Sequence, residues 1–353
     1  MSTKSNHARA AGDDGARAVA DFEPQLPSEA AQKPIEGLSR LWEYEKERLS
    51  LSCYVRRWRA LRNAVAMPQC LVLKPVEAKP EWILYFVYSP AGRLDGGHLF
   101  TLDALKAGGL PVLAVVATDA PRSVPEAIVQ SCDAVIWKAL SGYDFSAYAI
   151  GLEAIADRSP GADVLVFNDS MFGPFHDLRP FLAGAPWDLT GFMATDGSRQ
   201  RHIQSYAFVM KDVRSRRLRD MGDVFTTDFA FDDAPSTICG RELWMARRAS
   251  DTMSVGSYWF GADRDVLDPT LSKAIELVDA GFPFMKRSLF TKQSDFQRAE
   301  DVVACLERQG HPVAEFLEQM QIYARRNAGG GGGSLLRRAG GKLLRGVKRF
   351  VGR

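Results

Sequence analysis

The segment DVLVFNDSMFGPF (163–175) puts an apolar run directly before Asn168, Asp169 and Ser170, with a Gly-Pro turn after them. A carboxylate at a strand end, beside two oxygen-bearing side chains, can hold a hard divalent cation or accept hydrogen bonds from sugar hydroxyls. Magnesium or manganese, with Asp169 as its carboxylate, is therefore the cofactor to expect. An Asx turn that merely ends the strand would use the same residue types.

Three more groups could do chemistry. Ser141-Gly142-Tyr143-Asp144 opens a helix, and a helix N-terminus after a glycine can face a phosphate. Asp144 would repel one, so it suits a ribose or base; Ser141 or Asp144 could equally be a plain N-cap. In RHIQSY (201–206), His202, Gln204 and Tyr206 stand two apart, which on a strand puts them on one face. Three polar side chains on such a face suit a sugar site, or else a partly exposed sheet. Glu242, at the start of RELWMARR, could serve as general base for an acceptor hydroxyl. It could also simply complement the helix N-terminus. Asp196 is the rival base. Lys286 could neutralise a diphosphate leaving group or lie on the surface.

Other chemistries lack their residues. The chain has no GxSxG, HExxH, P-loop or dinucleotide GxGxxG. Five histidines and five cysteines are scattered, which excludes zinc-ligand spacing and fits free thiols.

The elements that must position these groups are legible from residue 82 onward. WILYFVYS (82–89), LPVLAVVATD (110–119), DAVIWKA (133–139) and DVLVFNDS (163–170) read as buried strands. LDALKAGG (102–109), AIVQSC (127–132) and DFSAYAIGLEAIAD (144–157) read as helices between them. That alternation predicts an α/β fold, a mostly parallel sheet with helices on both faces. Ligands of such sheets bind outside the carboxyl ends of the strands, where the groups above fall. Two strands around a turn are expected over 187–212, with helices at 214–223, 241–250, within 264–285 and at 294–326.

The ends differ in composition. Residues 1–37 read as a disordered leader and 38–78 as a helical N-terminal segment, with an Arg-rich solvated face. Residues 79–328 form the main domain. A five-glycine linker then leads to SLLRRAGGKLLRGVKRFVGR (334–353), which holds seven basic residues and no acid. The rest of the chain carries 38 basic against 43 acidic residues, so its body is not one for nucleic acid. On a helical wheel Leu336, Leu343, Val347 and Phe350 oppose the basic residues, a pattern that fits an anionic membrane surface. No apolar run is long enough to span a bilayer and no signal peptide is evident.

FNDSMFGPF, WDLTGF and RHIQSYAFVM together resemble the rhamnan synthesis protein F family, bacterial polysaccharide glycosyltransferases. SGYDFSAYAIGL (141–152), GREL (240–243) and GFPFMK (281–286) match in the same order, so the resemblance covers about residues 80–292. Where the family has Arg-x-Asn ahead of its GYD, this chain has Lys138 and Leu140. The resemblance implies a GT-A-like (Rossmann-like) domain in which Asn168-Asp169-Ser170 takes the place of the DxD motif. It further implies that Gly142, Tyr143 and Asp144 contact the nucleoside, that His202, Gln204 and Tyr206 shape the sugar site, and that Lys286 meets the diphosphate. The implied reaction is inverting transfer from a nucleotide sugar, dTDP-rhamnose favoured, to a glycan or lipid-linked acceptor on the cytoplasmic face of the membrane. Rival expectations are a catalytically silent glycan-binding or scaffold subunit and a transferase of UDP- or GDP-sugars.

Overall fold

A computed structural model describes residues 34–197, 200–262 and 268–318. Most of the leader and all of the 329–353 linker and tail lie outside the described residues. The strands, in chain order, are β1 (Leu38–Glu43), β2 (Ala64–Val65), β3 (Cys70–Lys74), β4 (Glu81–Tyr88), β5 (Val112–Ala117), β6 (Ala134–Lys138) and β7 (Ala162–Asn168). There follow β8 (Met171–Phe172), β9 (Leu189–Thr195), β10 (His202–Ile203), β11 (Ala207–Val213), β12 (Ala230–Phe231), β13 (Val255–Gly261) and β14 (Met285–Lys286).

The central sheet runs β1-β13-β9-β11-β7-β4-β5-β6-β3, with β10 on β9. Its core, β7-β4-β5-β6, is parallel, and so is the β13–β9 pair. Strands β1, β3 and β11 join antiparallel. This is the α/β, Rossmann-like class expected from the sequence.

The parallel strands are apolar throughout because both faces are covered. In β4, Trp82, Leu84 and Phe86 enter one core with Phe145, Tyr148 and Leu152 of the helix Tyr143–Arg158. Ile83, Tyr85 and Val87 enter the other, with Leu102 and Leu105 of Gly96–Gly108, Ile128 of Glu126–Ser131 and Phe181 of Arg179–Ala183. The helix Tyr143–Arg158 lies so close that a Cβ on Gly151 would come within 1.9 Å of Leu84. A third cluster, including Phe172, Leu289 and Phe316, joins the C-terminal helices to the Gly-Pro turn.

Several expectations need correcting. LSRLWE (38–43) is an edge strand, not a helix; Trp42 stacks on Phe260 across the β1–β13 pair. Only Leu51–Leu61 of the N-terminal segment is α-helical, and β1 and β3 belong to the main sheet. The segment is therefore part of the α/β domain. VGSYWFG (255–261) is a buried parallel strand that alternation alone did not reveal. Within the helix expected at 294–326, Ala299–Arg308 is helical, the helix breaks at 309–312, and residues 313–318 are helical again; no described helix is long and apolar enough to cross a membrane.

Candidate functional site

The carboxyl ends of β4, β5, β6, β7, β9 and β13 share one edge of the sheet, and nearly every candidate residue lies along it. Asn168 ends β7. Its amide nitrogen donates to Tyr148 Oη (2.9 Å) and Asp144 Oδ2 (3.2 Å), and its Oδ1 accepts from Ser170 N (3.1 Å) and Oγ (2.5 Å). Asn168 and Ser170 thus make the Asx turn and tie β7 to the helix Tyr143–Arg158, rather than presenting two ligands to a cation.

Asp169 points to the other side of that turn. Its Oδ2 accepts from the Tyr88 amide (2.7 Å) and faces His98 Nε2 at 3.3 Å. His98 Nδ1 lies 2.8 Å from Asp95 Oδ1, and Asp95 caps the helix Gly96–Gly108 by accepting from His98 N. Arg287 binds Asp95, donates to the Asp169 carbonyl (3.2 Å) and packs its guanidinium against Phe172 and Phe316. Burial opposes a charge on His98, yet its bonds to Asp169 and Asp95 raise its pKa. Burial also opposes a charge on Asp95, but His98 and Arg287 hold its carboxyl well below the usual range.

Around Gly142 the chain turns sharply. Gly142 has φ +92°, and a Cβ there would stand 2.7 Å from Ser146 Oγ. Its amide donates to Asp232 Oδ1 (3.0 Å), while Tyr143, also at positive φ, is exposed. Lys138, buried at the end of β6, donates to the Ser141 carbonyl (2.7 Å). Burial lowers its pKa to about 8 against the pull of Asp144 and Asp232. Asp144 accepts from the Phe145 amide and Asn168. Loss of water and the carboxylate of Glu242 push its pKa up to about 6.

Glu242 ends a π turn (Ile238–Glu242) at the head of the helix Leu243–Ala249. Its carboxylate accepts from both the amide (3.0 Å) and hydroxyl of Ser205, whose carbonyl accepts from Tyr148 Oη (3.0 Å). Asp144, Tyr148, Asn168, Ser205 and Glu242 therefore form one connected set.

The shared strand face expected for His202, Gln204 and Tyr206 is not formed. The strand β10 stops at Ile203, and His202 Nδ1 binds the Gln200 carbonyl instead. Gln204 and Tyr206 lie in the crossing to β11. Gln204 Nε2 donates to Asp268 Oδ1 (2.9 Å), while its Oε1 is buried without a hydrogen-bond partner among the described residues. Asp268 also accepts from Thr270 and pairs with Lys286, whose ammonium lies 5.0 Å from the centre of the Tyr206 ring. Burial would raise the pKa of Asp268, but Lys286 holds it low. Lys286 is thus already neutralised by a protein carboxylate. Asp196 directly follows β9, with Arg201 Nε 4.0 Å from its Oδ2.

Asp169 is a poor holder of a divalent cation. It brings a single carboxylate, already bonded, with His98 and the Arg287 guanidinium beside it. Among the described residues no three His, Cys, Asp or Glu side chains gather as a metal site. These residues do not fit the expected magnesium or manganese. The sequence reading missed His98, Asp95, Arg287, Tyr148, Ser205 and Asp268. Only Tyr148 and Ser205 lay inside motifs already singled out.

No family model and no curated protein matches the chain. Among solved structures, it is similar to a 4-diphosphocytidyl-2C-methyl-D-erythritol synthase from Anaerococcus prevotii. Identity is 14% over 58% of this chain and 97% of that one, with a TM-score of 0.33. It is also similar to the mannosyltransferase PcManGT from Pyrobaculum calidifontis, solved with GDP-Man and Mn2+. Identity there is 12% over 85% of this chain and 88% of that one, with a TM-score of 0.34.

Proposed function

We propose that the protein is a glycosyltransferase that takes a sugar from a nucleotide-sugar donor, dTDP-rhamnose favoured, and passes it with inversion to a glycan or lipid-linked acceptor. The observation that supports this best is the buried Gln204 Oε1. It is an acceptor without a donor among the described residues, on the same sheet edge as Asp144, Glu242 and the Asp268–Lys286 pair. Leaving such an atom unpaired costs about 1–3 kcal/mol, and a ligand hydroxyl would recover it.

In this reading Glu242 takes the proton of the acceptor hydroxyl. The two bonds from Ser205 fix its orientation and keep one oxygen occupied, leaving the other for the acceptor. Asp144, with its pKa near 6, suits a hydrogen bond to a ribose hydroxyl in either protonation state. The Tyr206 ring and Gln204 line the sugar position, and the Lys286–Asp268 pair turns the remaining field of its ammonium end toward the leaving diphosphate.

Thermal stability with dTDP, UDP and GDP, each with and without Mg2+ or Mn2+, tests the reading. A nucleotide at 100 times its dissociation constant should stabilise the fold by about 2.7 kcal/mol. Glu242→Gln should keep that shift and lose transfer from the matching donor. No shift with any nucleotide would overturn the reading in favour of a silent subunit.

A further inference from the structure

The helix Leu51–Leu61 turns Cys53, Arg57 and Ala60 inward, and Arg57 pairs there with Asp223 under the Trp244 ring. Its remaining large apolar residues face outward. Leu51 is 78% exposed, Trp58 57%, Tyr54 45% and Val55 36%. Their spacing of i, i+3, i+4 and i+7 makes them one stripe. Further along the chain Val65 and Leu71, Val72 and Leu73 of the edge strand β3 are also exposed. Of the thirteen large hydrophobics exposed among the described residues, eight fall within residues 51–73. Such a concentration marks an interaction surface rather than scattered exposure.

Charge identifies the partner. From Arg48 to Val76 the chain has Arg48, Arg56, Arg57, Arg59, Arg62 and Lys74 and no acidic residue. Arg59 and Arg62 border the apolar stripe, and Arg62 lies 4.9 Å from the centre of the Trp58 ring. We propose that this surface, the outward stripe of the helix Leu51–Leu61, docks on an anionic lipid bilayer. Leu51, Val55 and Trp58 would enter the headgroup–acyl boundary, and the arginines would meet lipid phosphates. Trp and Tyr, apolar bodies with polar tips, suit that depth. A second copy of the chain is the poorer occupant, because pairing would bring two sets of like charges together.

The placement links surface and site. The helix packs on the Ile238–Glu242 turn, where a Cβ on Gly240 would lie 3.6 Å from Ala60 Cβ. Glu242 thus ends the turn against which the inner face of the docking helix packs.

The test is sedimentation of the full-length chain with vesicles of phosphatidylglycerol and phosphatidylcholine. Arg338, Lys342, Arg345, Lys348 and Arg349 are changed to Gln throughout, so that the basic tail does not mask the result. Trp58→Glu with Val55→Glu, and separately Arg59→Glu with Arg62→Glu, should each lower the partition coefficient about 30-fold or more. Thermal melts should be unchanged, since all four side chains are exposed. Quenching of tryptophan fluorescence by brominated lipid should fall with Trp58→Glu. Pelleting equal to the parent in both variants would overturn the proposal. So would loss of a dimer in sedimentation velocity with pelleting unchanged, which would make this face an interface between copies. None of these readouts depends on sugar transfer, so the lipid surface and the transferase reading fail separately.

Discussion

Replacing Asp144 by Asn isolates the strain of holding two carboxylates around one cluster. The folded state raises the Asp144 pKa from 3.8 to about 6, through lost hydration and the Glu242 carboxylate. Since the folded state then binds more protons than the unfolded one, stability falls as pH rises through that window and is level above it. At 1.36 kcal/mol per unit, the penalty in wild type reaches about 3 kcal/mol. Asn cannot ionise and escapes it. Its single carboxamide oxygen can accept from Phe145 N or from Asn168 Nδ2 but not from both, however, which costs about 1 kcal/mol. The variant should therefore be less stable than wild type by about 0.5 kcal/mol at pH 4, and more stable by about 2 kcal/mol at pH 8. Urea denaturation across that range at constant ionic strength measures both. A wild-type-minus-variant difference that does not change with pH would refute the reasoning. A carboxylate kept at such cost beside another is what a site, rather than a core, demands.

Two further outcomes follow from the same geometry. Lys286→Met strips the buried Asp268 of its cation and should cost about 3–5 kcal/mol at pH 7 in urea denaturation. Asp268 has a depressed pKa, so the pair stabilises the fold above the ordinary carboxylate range and that contribution disappears as pH falls. The Lys286→Met deficit should accordingly shrink in acid, and an unchanged deficit would count against the pairing. Gly142→Ala forces a side chain into φ +92° and against Ser146 Oγ, and should lower stability by about 1–3 kcal/mol. Adding Ser146→Ala removes the Oγ contact but leaves Ser146 Cβ at 2.9 Å and Pro68 Cδ at 3.1 Å, so it should recover only a fraction of that loss.

The parallel centre of the fold was readable because β4, β5, β6 and β7 are covered on both faces. Each therefore appears as an unbroken apolar run between helical segments. The margins were not. LSRLWE carries helix-like spacing because β1 is an edge strand. Leu38, Leu41 and Trp42 are only partly covered there, and Leu41 sits at positive φ, which breaks the two-residue alternation. VGSYWFG was missed because two glycines interrupt its apolar run. Both are there for packing: a Cβ on Gly256 would strike Trp187, and one on Gly261 would strike Pro269.

The site divides along a similar physical line. Residues adjacent in sequence were found, because FNDS, SGYD and HIQSY each cluster polar atoms where a strand or helix must end. Several of their partners were not, because they come from distant parts of the chain: Asp268 to Gln204 and Lys286, and His98, on the helix Gly96–Gly108, to Asp169. Those partners change the chemistry assigned to the motif. Asp169 read alone is a cation ligand. Set between the Tyr88 amide and a histidine that Asp95 also holds, it braces the ends of β4 and β7. Lys286 read alone is a free positive charge. Paired with Asp268 under Tyr206, it becomes a fixed dipole whose remaining field, rather than whose full charge, a ligand would feel. A carboxylate or ammonium inferred from sequence thus has a known type but an unknown counter-ion, and the counter-ion decides whether it binds, catalyses or holds the frame.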